Sequence, residues 1–531
     1  MNPLGDRSGS IPRLSQPRLF AALVLLYALA VAGHFVLRYR GQWIEVDSAG
    51  MTRIIEVMRD QGVIRPTGPI YSHGFCYQVA SLAILSATGL TLQTLQTTVY
   101  PFLATTGLGL TSLVFFTQVT RDRRAAVLAT LFLFFQPDVL FVTLRGSHEK
   151  LVWPLMMLAL TLFYRSVGRS LRAMVVYVGL FYLTVFALIA TNVFFGSTFL
   201  VAIAFSLLLG LAAGTFLRRR STSPTDLRRL TYVTLSCGVL LFISMAYVYP
   251  PALLALRTLR TIWDKTGVLL MGFEAEGQPY GYIQFGWVSS QVYLGLTAFT
   301  WLLIILSFAE WLWRGKQILE RRENLGLHES LDWLLYAGFA IQVALSVIVD
   351  YAGVLSANMQ LRVFPAFTVL AAGLLARAVW RVAASPWLRG WKRRVAIGLT
   401  GLAVVWFAMA SVLKATNEPV FSNMWKFYST SEDAATYWTD SHLSFANVWT
   451  GLDERLRVLF SFKYARDSHS QNRYGSHVFK FDDRYILFSE RERLRGLRMG
   501  IAIPSVLDWN QVYDNGEVEL AHKRPQTPYQ R

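Results

Sequence analysis

Two acids, Glu45 and Asp47, stand in GQWIEVDSAG (41–50), directly after the first long apolar run of the chain. A carboxylate this close to hydrocarbon is costly unless it anchors a helix end or carries chemistry. A second acidic group lies in RGSHEK (145–150), where Arg145, His148 and Glu149 crowd a very short connection between two apolar runs. Arg145 and Glu149 are four apart and suit a simple ion pair. Asp138, beside Pro137 in the preceding run, is the kind of residue that faces a polar cavity. A third element is NMQLRVFP (358–365), where Arg362 opens an apolar run. Its guanidinium either snorkels to the interface or is the cation that holds a phosphate at the membrane surface.

These groups need elements to position them. The chain has 531 residues, 53% hydrophobic and only 16% charged, where a soluble chain carries roughly a quarter charged. Apolar runs recur at 19–37, 98–120, 125–144, 151–165, 173–190, 193–217, 230–249, 292–313, 331–349, 363–380 and 395–413. The expected fold is therefore an α-helical polytopic membrane protein of about eleven transmembrane helices. The formal net charge of +18 sits in short basic clusters between the runs, which is how cytoplasmic loops look. A membrane orientation explains the charge, and no nucleic-acid partner is expected. Cys76 and Cys237 make no metal spacing, and Cys237 lies within an apolar run, so no disulfide is expected.

Sidedness follows from charge parity. Arg7, Arg13 and Arg18 precede the first run and place the N-terminus inside. The segment 75–90 is apolar but reaches only about 24 Å as a helix, short of the roughly 30 Å core. If it does not span, the clusters at Arg121, Arg165, Arg218, Arg314 and Arg389 all fall inside; if it spans, all flip outside. The rule thus lays 75–90 along the outer face, within an outer first loop of 38–97. The loops 145–150 and 250–291 and the tail are outer as well. DSAGMTRIIEVMRDQG in the first loop has Ile54, Ile55 and Met58 at helical spacing and reads as an amphipathic surface helix, with Asp47 and Ser48 at its cap. The chain divides into a membrane region, 1–413, and a small α+β extracytoplasmic domain, 414–531. There SEDAATYWTD reads as a helix capped by Ser431, and YDNG before EVEL as a hairpin turn.

An acidic motif after the first span, a long first outer loop with surface helices, a short outer loop with a second acid and an outer soluble tail together resemble the GT-C class of membrane glycosyltransferases. That class includes protein O-mannosyltransferases, aminoarabinose transferases and oligosaccharyltransferases. The resemblance implies a sugar donor on a polyprenyl-phosphate carrier and a glycan, lipid or protein acceptor, met at the outer face of the cytoplasmic membrane. Asp47 is similar to the first-loop catalytic acid, with Glu45 its companion, and Glu149 with His148 occupies the place of the second acidic motif. Arg362 resembles the late-span arginine aimed at the donor phosphate, and IYSHGFCYQ (70–78) the loop segment before a juxtamembrane helix. The chain departs from the class in lacking an adjacent Asp-Glu pair at 45–47 and a WWDYG-type signature in the tail, where WTD (438–440) is not that motif. Transfer to asparagine is therefore disfavoured.

On this resemblance Asp47 takes the acceptor proton as the glycosidic bond breaks. The departing phosphate needs positive charge from Arg362, assisted by His73, Arg145 or Lys150. A divalent cation, Mg or Mn, held by Glu45, Asp47 and Glu149 suits hard carboxylate ligands, but the sequence leaves metal use open. Tyr280 and Tyr282 in the long outer loop fit either a mobile cover near the acceptor or an interfacial aromatic belt. The non-enzyme alternative is a transporter or flippase for a lipid-linked or envelope precursor, which calls for charges near the midplane of paired halves. No such halves repeat in the sequence, and the polar candidates cluster at the outer surface.

Overall fold

Leucine, valine and alanine fill the long runs, and with no water in hydrocarbon their backbone groups must pair within each segment, which only helices achieve in chains of this pattern. The computed structural model describes residues 16–39, 46–64, 73–167, 169–216, 224–253, 257, 260–261, 263–265, 267, 290–321, 327–351, 359–383, 390–416, 429–443, 447–449, 473–475, 484–490, 493 and 508–523. Glu45, Tyr280, Tyr282, the arginines at 218–220 and most of the 250–291 loop lie outside the described residues, as does the side chain of Asp47.

The helices run α1 (Gln16–Tyr39), α2 (Val46–Gln61), α3 (Cys76–Thr88), the short α4 (Leu92–Thr94), α5 (Tyr100–Thr120), α6 (Arg123–Phe134), α7 (Pro137–Leu144), α8 (Glu149–Ser166), α9 (Leu171–Thr191), α10 (Val193–Phe216) and α11 (Pro224–Ile243). They continue as α12 (Ser290–Arg321), α13 (Leu327–Tyr351), α14 (Met359–Ala383), α15 (Trp391–Ala415) and α16 (Thr430–His442). Among the described residues nine helical stretches are long and apolar enough to cross a membrane, ten if the bent pair α6–α7 counts as one. The run expected at 151–165 is α8, whose Glu149, Lys150 and Arg165 crowd its two ends. Helix α5 packs against α1, α6 and α8, and α14 against α6, α12 and α13. Cys76 and Cys237 are both free thiols, as expected.

The run 125–144 is not the single straight span the sequence suggested. It bends by 74° between α6 and α7. Pro137 has no N–H to continue the ladder and pushes the residue before it out of helical geometry, and Gln136 is extended, at φ −87 and ψ 108. Helix α7 consequently departs from the direction of α6 and carries the 145–150 connection sideways.

Helix α3 does not cross. Near its start the N–H of Phe75 donates to Ala190 O at the end of α9, and near its middle Ser81 Oγ meets Tyr100 Oη, 2.7 Å away, at the start of α5. It is thereby fastened at that end of the bundle, and at 13 residues it is shorter than the helices long enough to span. The ends of α1 and α15 also meet there, where the Tyr39 hydroxyl donates to Thr416 O.

The tail forms a five-stranded sheet ordered β2-β1-β3-β5-β4, from β1 (Asn447–Trp449), β2 (Arg473–Gly475), β3 (Tyr485–Ser489), β4 (Asn510–Asp514) and β5 (Val518–His522). The β1 strand runs parallel to β2 and β3, and the β4–β5 hairpin turns at Gly516, φ +84. Helix α16 is capped by Ser429, not Ser431: Ser429 Oγ accepts from Glu432 N–H at 3.1 Å and Glu432 reaches back to Ser429 N–H at 2.9 Å. That reciprocal box requires an acid three residues on, which Ser431, followed by Ala434, lacks.

Helix α2 is amphipathic as expected, but its apolar face does not rest on lipid. Met51 and Ile55 share one core with Tyr77, Leu92, Leu95 and Tyr100 and with Val448, Leu487, Val518 and Leu520 of the sheet. Each such side chain, fully buried, stabilises by roughly 1.5–3 kcal/mol. The sheet and the first-loop helices are thus packed as one body over the same end of the bundle.

Candidate functional site

The site is assembled where α2 docks onto the 145–150 connection. Ser48, 2% exposed in the first turn of α2, accepts the Gly146 N–H at 2.9 Å. Thr52, one turn on, donates to Ser48 O at 2.7 Å and to Gln96 Oε1 at 3.3 Å. There is no room for a side chain at residue 146, where a Cβ would stand 2.6 Å from Ser48 Oγ and 3.0 Å from Gln96 Oε1. Asp47 immediately precedes Ser48. The helix begins at Val46, so Asp47 lies within its first turn rather than at the cap position ahead of it. A carboxylate in a first helical turn is favoured by the unpaired amides there.

Three residues from Gly146, Glu149 is tied down. Its carboxylate takes the Arg145 guanidinium in a nearly buried ion pair and Ser147 Oγ at 3.3 Å, while Arg145 Nε donates to Ser147 Oγ at 3.1 Å. Arg145 also lies over the Phe141 ring, 5.2 Å from its centroid. The ion-pair alternative is thus realised, and any cation at Glu149 would have to share the carboxylate with Arg145. Among the described residues no three of His, Cys, Asp and Glu converge as a metal set. Lys150, 1% exposed, is held 4.8 Å from the Tyr100 centroid.

His148 points the other way, to Asn192 at the α9–α10 junction, with Nε2 and Nδ2 2.6 Å apart. The amide orientation is fixed because Asn192 Oδ1 accepts the Phe195 N–H at 3.2 Å and caps α10. Its NH2 group therefore faces His148 Nε2 and donates to it. The same junction clamps the segment carrying His73: Val193 N–H donates to His73 O at 2.7 Å, and a Cβ on Gly74 would meet Thr191 O at 2.2 Å. Burial first, and the nearby Arg362 second, push the His73 imidazole below its ordinary pKa. Its Nδ1 is buried and has no hydrogen-bond partner.

Arg362 projects from the first turn of α14 with its guanidinium 5.5 Å from the Phe194 centroid, and it is exposed. Behind it, fully buried Asp350 at the end of α13 accepts the N–H groups of Met359 and Gln360 at 2.8 and 2.9 Å, fastening the start of α14.

The sequence candidates and the residues that hold them fall into two linked groups. Ser48, Gly146, Arg145 and Glu149 form one; His73, Arg362 and Asp350 form the other; His148 and Asn192 join them. Asp138 is not brought in, being at the far end of α7 from Arg145, about 10 Å along the helix. Ser48 was expected only at the start of the surface helix, and Gln96, Asn192 and Asp350 were not singled out in the sequence. Asp350 alone left a visible signal, an acid closing an apolar run just ahead of Arg362. The other three are ordinary polar residues whose roles arise from contacts across 44 to 98 residues of chain.

No protein-family model matches the chain, and no curated protein matches its sequence. Solved structures do match its fold. The apo oligosaccharyltransferase of Archaeoglobus fulgidus aligns with TM-score 0.57 at 12% identity, over 90% of this chain and 70% of that one. AglB from the same organism, in complex with an inhibitory peptide and a dolichol-phosphate, aligns with TM-score 0.52 at 13% identity, over 91% and 70%. ArnT from Cupriavidus metallidurans, bound to undecaprenyl phosphate, aligns at 0.47 and 13% identity, over 95% and 97%. The two Archaeoglobus structures carry the assignment: the chain has the GT-C fold that the order of its loops and spans resembles.

Proposed function

We propose that this protein is a membrane glycosyltransferase that passes a sugar from a polyprenyl-phosphate-linked donor to an acceptor at the outer face of the cytoplasmic membrane. One observation carries the reading: the first turn of α2, which bears Asp47, is locked onto the 145–150 connection through Ser48 and Gly146, with an exposed arginine, Arg362, at the same end of the bundle. That arrangement supplies a carboxylate on a fixed backbone and a cation that an anionic leaving group can reach. The dolichol-phosphate bound by AglB, which shares the fold, supports a lipid phosphate as donor.

In this reading Asp47 takes the proton of the acceptor nucleophile while the sugar–phosphate bond breaks. Arg362, assisted by neutral His73, receives the charge that develops on the phosphate. Arg145 is committed to Glu149 and shapes the connection rather than meeting the donor. A divalent cation would find its ligands in Glu45 and Asp47, with Glu149 sharing.

The test is transfer of labelled sugar from a polyprenyl-phosphate donor by purified protein, with Asp47→Asn and Glu45→Gln beside the wild type. Loss of a general base costs about 10²–10⁴-fold, and Asp47→Asn is expected in that range with the fold intact. Full activity of both variants, or no transfer by the wild type from any such donor, overturns the proposal. Wild-type transport of a lipid-linked sugar by Asp47→Asn would point to the transporter alternative instead.

A further inference from the structure

The opposite end of the bundle carries a second recess, made by groups the proposed reaction does not use. Where α5 ends and α13 begins, Thr117, Gln118, Arg121, Tyr164 and His328 surround a cavity of about 330 Å³. Beside it, and sharing Thr117 and Gln118, a second cavity of about 230 Å³ is walled by Phe20, Leu113 and Val114 and closed by Arg123 and Arg165. The two form a groove that changes character along its length.

At the helix ends the groove is cationic. Arg121, Arg123 and Arg165 face it, against one carboxylate, Glu329, which meets Arg121 at 3.7 Å with both side chains largely open to solvent. Among the described residues no carboxylate pairs with Arg123 or Arg165. Asp122, the nearest acid in sequence, is turned away: its carboxylate caps α6 by accepting the N–H groups of Arg124 and Ala125 at 2.7 and 3.1 Å. Asp332, the next acid along α13, is saturated by the Tyr164 hydroxyl at 2.5 Å and by Arg377 at 2.7 Å. The guanidiniums of Arg123 and Arg165 therefore remain available to an anion.

Two turns deeper the groove is apolar and opens between α1 and α5 to the lipid-facing surface. Phe20 on α1 and Leu113 and Val114 on α5 line it there, and Val114 is 46% exposed. A soluble anion has no use for that wall. An amphiphile does: its phosphate would lie among the arginines and its acyl chains along the α1–α5 seam.

We propose that this groove is a binding site for an anionic phospholipid of the membrane leaflet opposite the candidate catalytic site. Guanidiniums match phosphate oxygens in geometry and charge. The site is independent of the proposed transfer reaction and stands or falls separately from it.

Native mass spectrometry of delipidated protein, titrated with phosphatidylglycerol or phosphatidylcholine, tests it. The wild type is expected to retain phosphatidylglycerol with a preference on the order of tenfold. The double variant Arg123→Gln/Arg165→Gln should bring that ratio close to one, while Arg172→Gln, a nearby arginine outside the groove, should leave it unchanged. The melting temperature of each variant without added lipid verifies folding. Equal retention of both lipids by the wild type overturns the proposal, as does an undiminished preference in the double variant or an equal loss in Arg172→Gln. Inorganic phosphate raising the melting temperature as much as phosphatidylglycerol would assign the arginines to a soluble anion and overturn it too.

Discussion

Placing a methyl group on residue 146 tests the docking of α2 directly. Gly146 is buried, and its φ is not positive, so alanine there carries no backbone strain and its cost is contact alone. The new Cβ would stand 2.6 Å from Ser48 Oγ, 2.8 Å from Ser48 Cβ and 3.0 Å from Gln96 Oε1. The first two distances are impossible, so the first turn of α2 must retreat, costing about 1–3 kcal/mol as overpacking does. The retreat also stretches the Gly146–Ser48 hydrogen bond, whose loss leaves a buried N–H unsatisfied at a further ~1–3 kcal/mol. Asp47 moves with that turn, and a displacement of about 1 Å at a reacting group can cost 10²-fold. We expect Gly146→Ala to reduce kcat/KM by about 10–100-fold and to lower the melting temperature. Ser48→Gly removes both offending atoms. Residue 146 should then accept alanine with only the 3.0 Å approach to Gln96 remaining, and Ser48→Gly/Gly146→Ala should exceed Gly146→Ala alone by at least about fivefold. The measurement is a double-mutant cycle in transfer rate, with melting temperature alongside. Additive effects at the two positions would refute the docking, because independent residues cannot compensate each other.

Two further outcomes follow from other parts of the molecule. Because burial and Arg362 hold the His73 imidazole below its ordinary pKa, the unfolded chain binds a proton that the native one does not in the window from about 6.5 downward. Stability should therefore fall as pH drops through that window, more steeply in the wild type than in His73→Gln, and parallel melting-temperature profiles would contradict the burial of this ring. At the other end of the bundle, Asp332→Ala removes the partner of Arg377, whose side chain is 14% exposed. A buried charge so abandoned costs about 3–5 kcal/mol, seen as a marked drop in melting temperature while the KM for the lipid-linked donor stays unchanged.

Much of the architecture was legible because hydrocarbon admits few solutions. Runs of leucine and alanine had to become helices, and 75–90 held only the short helix α3, which contacts of Phe75 and Ser81 fasten to α9 and α5. The capped helix and the YDNG hairpin of the tail were visible as local chemistry, although the box at Ser429 moved the cap by two residues. The bend at Gln136 was announced by Pro137 but not its size, since a proline permits a kink while the packing of α7 on α8 and α15 sets the angle. The amphipathic pattern of α2 fixed which face is buried and said nothing about what covers it. Lipid and a β-sheet both satisfy Met51 and Ile55, and the choice depends on β3 and β5, over 400 residues away.

For the site, the sequence alone determined the residue types and the side of the bundle they share: acids after the first run, an Arg-x-x-x-Glu connection, an arginine opening a late run. Short-range spacing was enough to foresee the Arg145–Glu149 pair, because residues four apart have few other neighbours. Only the tertiary structure decided that Ser48 locks the Asp47 turn to Gly146, that Asn192 meets His148, that Asp350 fastens the helix bearing Arg362, and that Asp138 stands apart. Each of those depends on two segments meeting across dozens to hundreds of residues, where one hydrogen bond or a missing Cβ is specified by packing and leaves no pattern in the local sequence.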